Sequence, residues 1–171
     1  LVAGPILTSY IREQGLGLDN ACVVSPDVGN VKLGRDYATK LGLPLTIIDK
    51  RRPMANVSEV MAIIGEENVM GRTALIFDDM IDTAATVCTA AVALMDKGAR
   101  QVWALSTHAV LSGNALQRIA ESPLRRVVAT NTISHDMAKL PDNIEILDVS
   151  HLIAMAIDRI AAARAPGATY A

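Results

Sequence analysis

The sequence predicts an α/β fold with a mainly parallel sheet and helices on both faces. Short apolar segments rich in β-branched residues alternate along the chain with segments of helical period. The apolar segments lack the polar alternation of half-exposed strands, which is typical of parallel strands that are covered on both faces. Six strands are predicted, at Ala21–Ser25, Leu45–Asp49, Thr73–Asp78, Gln101–Ser106, Arg126–Thr130 and Ile144–Val149.

Helices are predicted between these strands. In Thr83–Lys97 the apolar residues recur three and four positions apart, and Gly98 follows as a stop signal. Asn56–Glu59 matches the capping-box pattern, which predicts a short helix that continues through Ile64. The other predicted helices are Val31–Leu41, ended by Gly42, a helix capped by Ser112 or Asn114 that runs through Ala120, and Ser150–Ala163.

Length and composition predict one domain with a sizeable core. The chain has 171 residues, of which 51% are hydrophobic, and we assign residues 1–160 to the domain and Ala161–Ala171 to a flexible tail. The net charge of −2 argues against a broad nucleic-acid-binding surface. No apolar run reaches the roughly 18 residues of a membrane span. Cys22 and Cys88 lie in apolar segments, which predicts free thiols and a reducing, cytoplasmic location.

The segment FDDMIDTAAT at residues 77–86 carries the strongest functional signal. It follows a strand and opens a helix, and ligands of open parallel sheets bind beyond the carboxyl ends of the strands. Backbone N–H groups of the helix start, with the Thr83 and Thr86 hydroxyls, would bind a phosphate. Asp78 and Asp79 would accept hydrogen bonds from ribose hydroxyls or bind Mg²⁺ through water. The segment therefore predicts a sugar-phosphate site, although an isolated Asp-Asp pair would more often be an acidic loop before a capped helix.

This segment resembles the ribose 5-phosphate loop of the type I phosphoribosyltransferase fold and, as DDMIDTAxT, that of the ribose-phosphate pyrophosphokinases (phosphoribosyl pyrophosphate synthetases). Two other segments are similar to the same family. IIDKRRP at residues 47–53 resembles its flexible catalytic loop, although three adjacent cations alone could equally form a solvated basic turn. SPDVGN at residues 25–30 resembles its pyrophosphate loop.

The resemblance implies a reaction and a set of site residues. The diphosphoryl group of Mg-ATP would pass to the C1 hydroxyl of ribose 5-phosphate, giving phosphoribosyl pyrophosphate and AMP. The family further implies Mg²⁺ as cofactor, ATP and ribose 5-phosphate as partners, and a homohexamer. The resemblance implies a ribose 5-phosphate site that comprises Arg52, Asp78, Asp79, Asp82, Thr83, Ala84, Ala85 and Thr86. It implies a pyrophosphate loop that comprises Asp27, Val28, Gly29 and Asn30. It also implies that Lys50 and Arg52 serve catalysis and that Asp27 helps to bind the metal.

The resemblance covers the C-terminal half of such a synthetase. The half that supplies adenine recognition and a metal-binding histidine has no counterpart, so we expect the isolated chain to be inactive. Ala85 and Asn30 stand where the family has glycine, and the family's allosteric C-terminal end is not recognisable in Ala161–Ala171. Two alternatives stay open: a phosphoribosyltransferase, disfavoured by the DKRR and SPDVG segments, and a non-catalytic regulatory relative of the synthetases.

Overall fold

A computed structural model describes residues 1–16, 20–51 and 60–163, without the side chains at 50, 51, 60 and 61. Within these ranges the strands are β1 (Ala21–Ser25), β2 (Leu45–Arg51), β3 (Val60–Ile64), β4 (Thr73–Ile81), β5 (Gln101–Ala109), β6 (Leu124–Thr130) and β7 (Ile144–Leu147). The α-helices are α1 (Gly4–Glu13), α2 (Val31–Leu41), α3 (Ala85–Asp96), α4 (Ala115–Glu121) and α5 (Ser150–Ala163). None of the described helices has the length and apolarity that a membrane crossing requires.

The strands form one sheet in the order β3-β2-β1-β4-β5-β6-β7. Every neighbouring pair is parallel except β2 and β3, which are antiparallel. This confirms the predicted α/β fold with a mainly parallel sheet. The chain reverses its strand order between β1 and β4, which is where open α/β sheets place their ligands.

Each face of the sheet carries its own layer of buried residues. On one face, Val87 and Leu94 of α3 pack with strand residues such as Ile76. On the other face, α2 packs against β4, α1 contributes to the same buried cluster, and the rings of Tyr37 and Phe77 stack with centroids 3.9 Å apart. Helices therefore cover both faces, as the unbroken apolar strands predict.

Several predicted bounds are close to those observed, and four strands are longer than predicted. The bounds of β1, α2 and α5 agree. Strand β2 ends two residues later than predicted, β6 begins two residues earlier, and β7 ends two residues earlier, whereas β4 and β5 each continue three residues further. They continue because they still pair with each other, Met80 opposite His108 and Ile81 opposite Ala109. As a result Asp78 lies within β4 rather than at its last position.

The predicted helix that continues through Ile64 is wrong. Val60–Ile64 is strand β3, paired with the edge of β2, while Asn56–Glu59 lie outside the described residues. The capping-box pattern is a local signal, and the long-range pairing of a β-branched segment with an open sheet edge overrides it. Helix α1 was also not predicted from the sequence, although its Leu7 and Ile11 are fully buried and lie four residues apart.

Candidate active site

The predicted pyrophosphate loop and the predicted ribose 5-phosphate segment meet at the carboxyl end of the sheet. They meet because β1 and β4 are parallel neighbours, with Val24 opposite Ile76. The side-chain amide of Asn30 in the first loop donates to Asp78 Oδ1 in β4 at 2.9 Å. The predicted pyrophosphate loop, residues 27–30, thus touches the predicted ribose 5-phosphate segment, residues 78–86.

A cavity of about 250 Å³ lies at the junction of β4 and α3. It is lined by Asp78 and by residues 80–87, which include most of the predicted ribose 5-phosphate site. Asp79 is exposed beside it, and Arg52 lies outside the described residues. The volume falls below the roughly 300–1,000 Å³ of drug-sized pockets, which suits a small sugar phosphate.

The start of α3 offers unengaged backbone donors to this cavity. Among the described residues no side chain caps the helix, and no acidic residue lies in its first turn. Ala84, just before the helix, has φ 60° and ψ 2°, a left-handed conformation that costs an alanine roughly 1 kcal/mol or more. Such strain is found at ligand sites that the surrounding structure holds in place. The free N–H groups and the helix dipole favour an anion at this position.

The loop that follows β5 braces the predicted phosphate cradle, residues 82–86. The Ser112 hydroxyl donates to Asp82 Oδ1, and the Ser112 N–H donates to the Asp82 carbonyl at 3.1 Å. Arg118 of α4 donates to the Thr83 carbonyl at 2.9 Å. The sequence reasoning assigned no role to Ser112 or Arg118 at this site. Their contact with the cradle depends on the β4–β5 pairing, which no local pattern specifies.

Replacing Ala85 with glycine is expected to leave ribose 5-phosphate affinity unchanged and to lower stability. Ala85 is the first helical residue and is exposed, so the left-handed position in this loop is Ala84 instead. Glycine costs a helix up to about 1 kcal/mol relative to alanine. Urea unfolding of Ala85→Gly, together with calorimetric titration, measures both quantities. A marked gain in affinity would mean that the alanine methyl group obstructs the ligand.

Asp78 is the most strongly perturbed carboxyl group of the site. Its pKa is raised from 3.8 to about 7, chiefly by burial in the cavity wall. The hydrogen bond from the Asp79 N–H lowers this pKa, and the nearby carboxyl groups of Asp79 and Asp27 raise it. Perturbed carboxyl groups of this kind concentrate at functional sites. Near neutral pH Asp78 can therefore exchange a proton, which an ordinary surface aspartate does not do.

The raised pKa of Asp78 predicts that stability falls as pH rises toward neutrality. Between pH 4 and 7 the folded protein holds a proton that the unfolded chain has released, so the free energy of unfolding decreases across this window. The contribution is complete below the unfolded pKa of 3.8 and is lost as pH rises through about 7. Urea unfolding at pH 5 and pH 8 should show a smaller decrease for Asp78→Asn than for the unmodified chain. Equal decreases would refute the shift.

Asp27 is held by a tight turn that leads from β1 into α2. Its Oδ1 accepts the Asn30 N–H at 2.9 Å, and its carbonyl accepts the Ser25 hydroxyl at 2.8 Å. A Cβ added to Gly29 would lie 3.2 Å from Asp27 Oδ1, so a small residue suits this position. Val28 and Gly29 are exposed at the tip of the turn. The predicted pyrophosphate loop thus presents a half-buried carboxylate next to the cavity.

The predicted catalytic cations are only partly described. The backbone of Lys50 belongs to β2 and is paired with Met61 of β3, so the prediction that Lys50 lies on a loop after the strand is wrong. The strand continues because β3 provides a partner for it. The Lys50 side chain and the whole of Arg52 lie outside the described residues, and their assigned roles stay predictions.

Comparison with known proteins relates these features to one family. The sequence model of the phosphoribosyl synthetase-associated domain matches residues 49–168. A ribose-phosphate pyrophosphokinase from Caldanaerobacter subterraneus subsp. tengcongensis is 51% identical over 160 residues, which are 94% of this chain and 50% of that protein. The chain thus spans about half the length of the curated relatives that it matches.

Solved structures support the same relationship. Phosphoribosylpyrophosphate synthetase from Mycobacterium smegmatis matches with a TM-score of 0.83 at 36% identity, over 92% of this chain and 50% of that one. An APRTase from Giardia lamblia matches with a TM-score of 0.59 at 11% identity, over 85% of this chain and 76% of that one, which shows a shared fold only. The type I phosphoribosyltransferase-like fold is thereby confirmed. With its family model matched over most of its length, the chain belongs to the phosphoribosyl synthetase-associated domain family.

Proposed function

We propose that this chain is the ribose 5-phosphate-binding half of a ribose-phosphate pyrophosphokinase. The observation that carries the proposal is the cavity at the start of α3. Backbone N–H groups that could bind a phosphate lie at one end of it, and Asp78 lies at the other. A phosphate at the uncapped helix start would place the ribose near the carboxylates of β4. The relatives' names agree with this assignment, and residues 1–160 would form the domain. Of the predicted tail, residues 161–163 belong to α5 and residues 164–171 lie outside the described residues.

In the proposed reaction the C1 hydroxyl of ribose 5-phosphate attacks the β-phosphorus of ATP. The bond between the β-phosphorus and the oxygen that bridges it to the α-phosphate breaks, AMP leaves, and the hydroxyl proton is released. Positioning and charge stabilisation account for most of the catalysis in phosphoryl transfer. The cradle 82–86 would hold the 5-phosphate, Asp78 and Asp79 the ribose hydroxyls, and Lys50 and Arg52 would stabilise the transferring group.

The residues at the site suit a Mg²⁺ ion that is held partly by water and substrate phosphates, and not a metal that is held entirely by protein side chains. Among the described residues there is no group of three or more His, Cys, Asp or Glu side chains that could hold a metal. Magnesium typically uses one or two carboxylates together with waters and substrate phosphates. Asp27, half-buried beside the cavity, would supply such a carboxylate. When bound, the cation would neutralise phosphate charge at a site that presents several carboxylates.

Two measurements on the 171-residue chain test the proposal. Calorimetric titration should show binding of ribose 5-phosphate, since the cradle is local to one strand–helix junction. An AMP-release assay with ATP, Mg²⁺ and ribose 5-phosphate should show no turnover, because the adenine-recognition half that the family implies is not in this sequence. Failure of the folded chain to bind ribose 5-phosphate would refute the proposed site. Turnover by this chain alone would refute the half-enzyme assignment.

The remaining family properties belong to the same proposal. Assembly into a homohexamer and a cytoplasmic location are inferred from the resemblance, as are ATP and ribose 5-phosphate as partners. Activity assays separate the two alternatives. A phosphoribosyltransferase would consume phosphoribosyl pyrophosphate in the presence of a base, and a regulatory relative would stay inactive even when it is joined to a complete N-terminal half.

A further inference from the structure

The side chain of Asn30 is directed away from its own helix. Asn30 occupies the N-cap position of α2, where an asparagine usually accepts a hydrogen bond from an N–H of the first turn. Here it makes no such bond. Its amide instead donates to Asp78 Oδ1 at 2.9 Å, in a strand 48 residues further along the chain. A side chain that forgoes its local cap for a distant carboxylate points to a role at that carboxylate.

Asn30 links two carboxylates that belong to different parts of the site. Its backbone N–H donates to Asp27 Oδ1, and its side-chain amide donates to Asp78 Oδ1, each at 2.9 Å. Asp78 Oδ1 also accepts the Asp79 N–H at 2.9 Å. Both of these donors therefore fix the same oxygen of Asp78, and neither occupies Oδ2.

The position of Asn30 is set by close packing one turn further along α2. A Cβ added to Gly34 would lie 3.3 Å from the Ser25 Cβ and 3.2 Å from Leu45 Cδ1. The buried Gly34 thus lets the helix lie directly against β1 and β2. The amide of Asn30 consequently approaches Asp78 from a fixed support.

We propose that Asn30 is a positioning residue for the sugar end of the site. By holding Asp78 Oδ1, its amide orients the carboxylate so that Oδ2 can accept the ribose hydroxyls. It also couples that carboxylate to the Asp27 loop, so that the pyrophosphate and sugar ends of the site are held in one arrangement. This role rests on the proposed function of the chain.

Calorimetric titration of the folded chain with two probes tests the role. Ribose 5-phosphate reports on the cradle together with Asp78, whereas inorganic phosphate reports on the cradle alone. Asn30→Ala should weaken ribose 5-phosphate binding about three- to tenfold, the range for one lost hydrogen bond, and leave phosphate binding unchanged. Asn30→Asp keeps the size and the capping preference but cannot donate and adds a negative charge. It should therefore lose at least as much ribose 5-phosphate affinity and should also weaken phosphate binding.

Asn131→Ala provides the matched control. Asn131 makes the same kind of amide–carboxylate bond, to Asp148 Oδ1 at 2.7 Å, on the far side of β5 from β4. It should leave both affinities unchanged. Equal losses for both probes in Asn30→Ala, or no loss for either, would overturn the positioning role while the proposed function stands. If the wild-type chain binds ribose 5-phosphate no more tightly than inorganic phosphate, the sugar-phosphate site is overturned, and this role with it.

Discussion

Ala85→Glu is expected to weaken ribose 5-phosphate binding by at least about 100-fold without destabilising the fold. A carboxylate about 4 Å from a phosphate costs about 4 kcal/mol per unit charge near a protein surface, and screening by salt reduces this only partly. The new side chain would stand at the exposed first position of α3, where the cavity opens. The same charge interacts favourably with the helix dipole and should add about 0.3–1 kcal/mol of stability.

Opposite effects on binding and folding make this variant informative. Calorimetry measures the affinity, and urea unfolding measures the free energy of unfolding. Val92→Glu is the control, because it introduces the same charge on the same helix. Val92 is exposed and lies about 10 Å further along. This variant should leave affinity nearly unchanged. Equal affinities for Ala85→Glu and the unmodified chain would place the phosphate elsewhere.

Lys50→Ala is expected to lower kcat by about 10²–10³ in a protein that turns over, the usual cost of losing one transition-state charge partner. Because the isolated chain is expected to be inactive, the assay needs a chimera. Residues 1–160 would replace the matching half of the Caldanaerobacter relative, which is 51% identical in this region. AMP release then reports kcat.

The control for Lys50→Ala is Lys97→Ala. Lys97 is a surface lysine whose ion pair with Glu66 lies at the opposite end of α3 from the cradle, and such pairs contribute little to stability. It should retain full kcat in the chimera. An undiminished kcat in the Lys50→Ala chimera would show that Lys50 is not a catalytic residue. This conclusion would not depend on where ribose 5-phosphate binds.

The clustering of residues 78–86 at one position of the fold could be predicted from the sequence because they form one contiguous segment. A strand, two carboxylates and a helix start within ten residues leave few arrangements, and the structure places residues 80–87 around one cavity. The residue of this loop that adopts the left-handed conformation could not be predicted from the sequence. Family comparison drew attention to Ala85, whereas the left-handed residue is Ala84, a backbone property that residue identity does not reveal.

Features that depend on partners distant in sequence could not be predicted in this way. Strand β3 exists because β2 offers an open edge, and the local capping-box pattern opposed it. The Asn30–Asp78 bond joins residues 48 positions apart and arises only once β1 and β4 are neighbours. The bracing of the cradle by Ser112 and Arg118 has the same origin, since the pairing of β4 with β5 brings their loops together.

The raised pKa of Asp78 also makes ligand binding a proton-releasing event. With a pKa raised to about 7, part of the free protein carries a proton on Asp78 near neutral pH. If only the ionised form accepts the ribose hydroxyls, this protonation lowers the apparent affinity below the intrinsic one. Binding would then release protons into the solution. The heat observed in calorimetry would differ between phosphate-free buffers of low and high ionisation enthalpy, and Asp78→Asn would remove that difference.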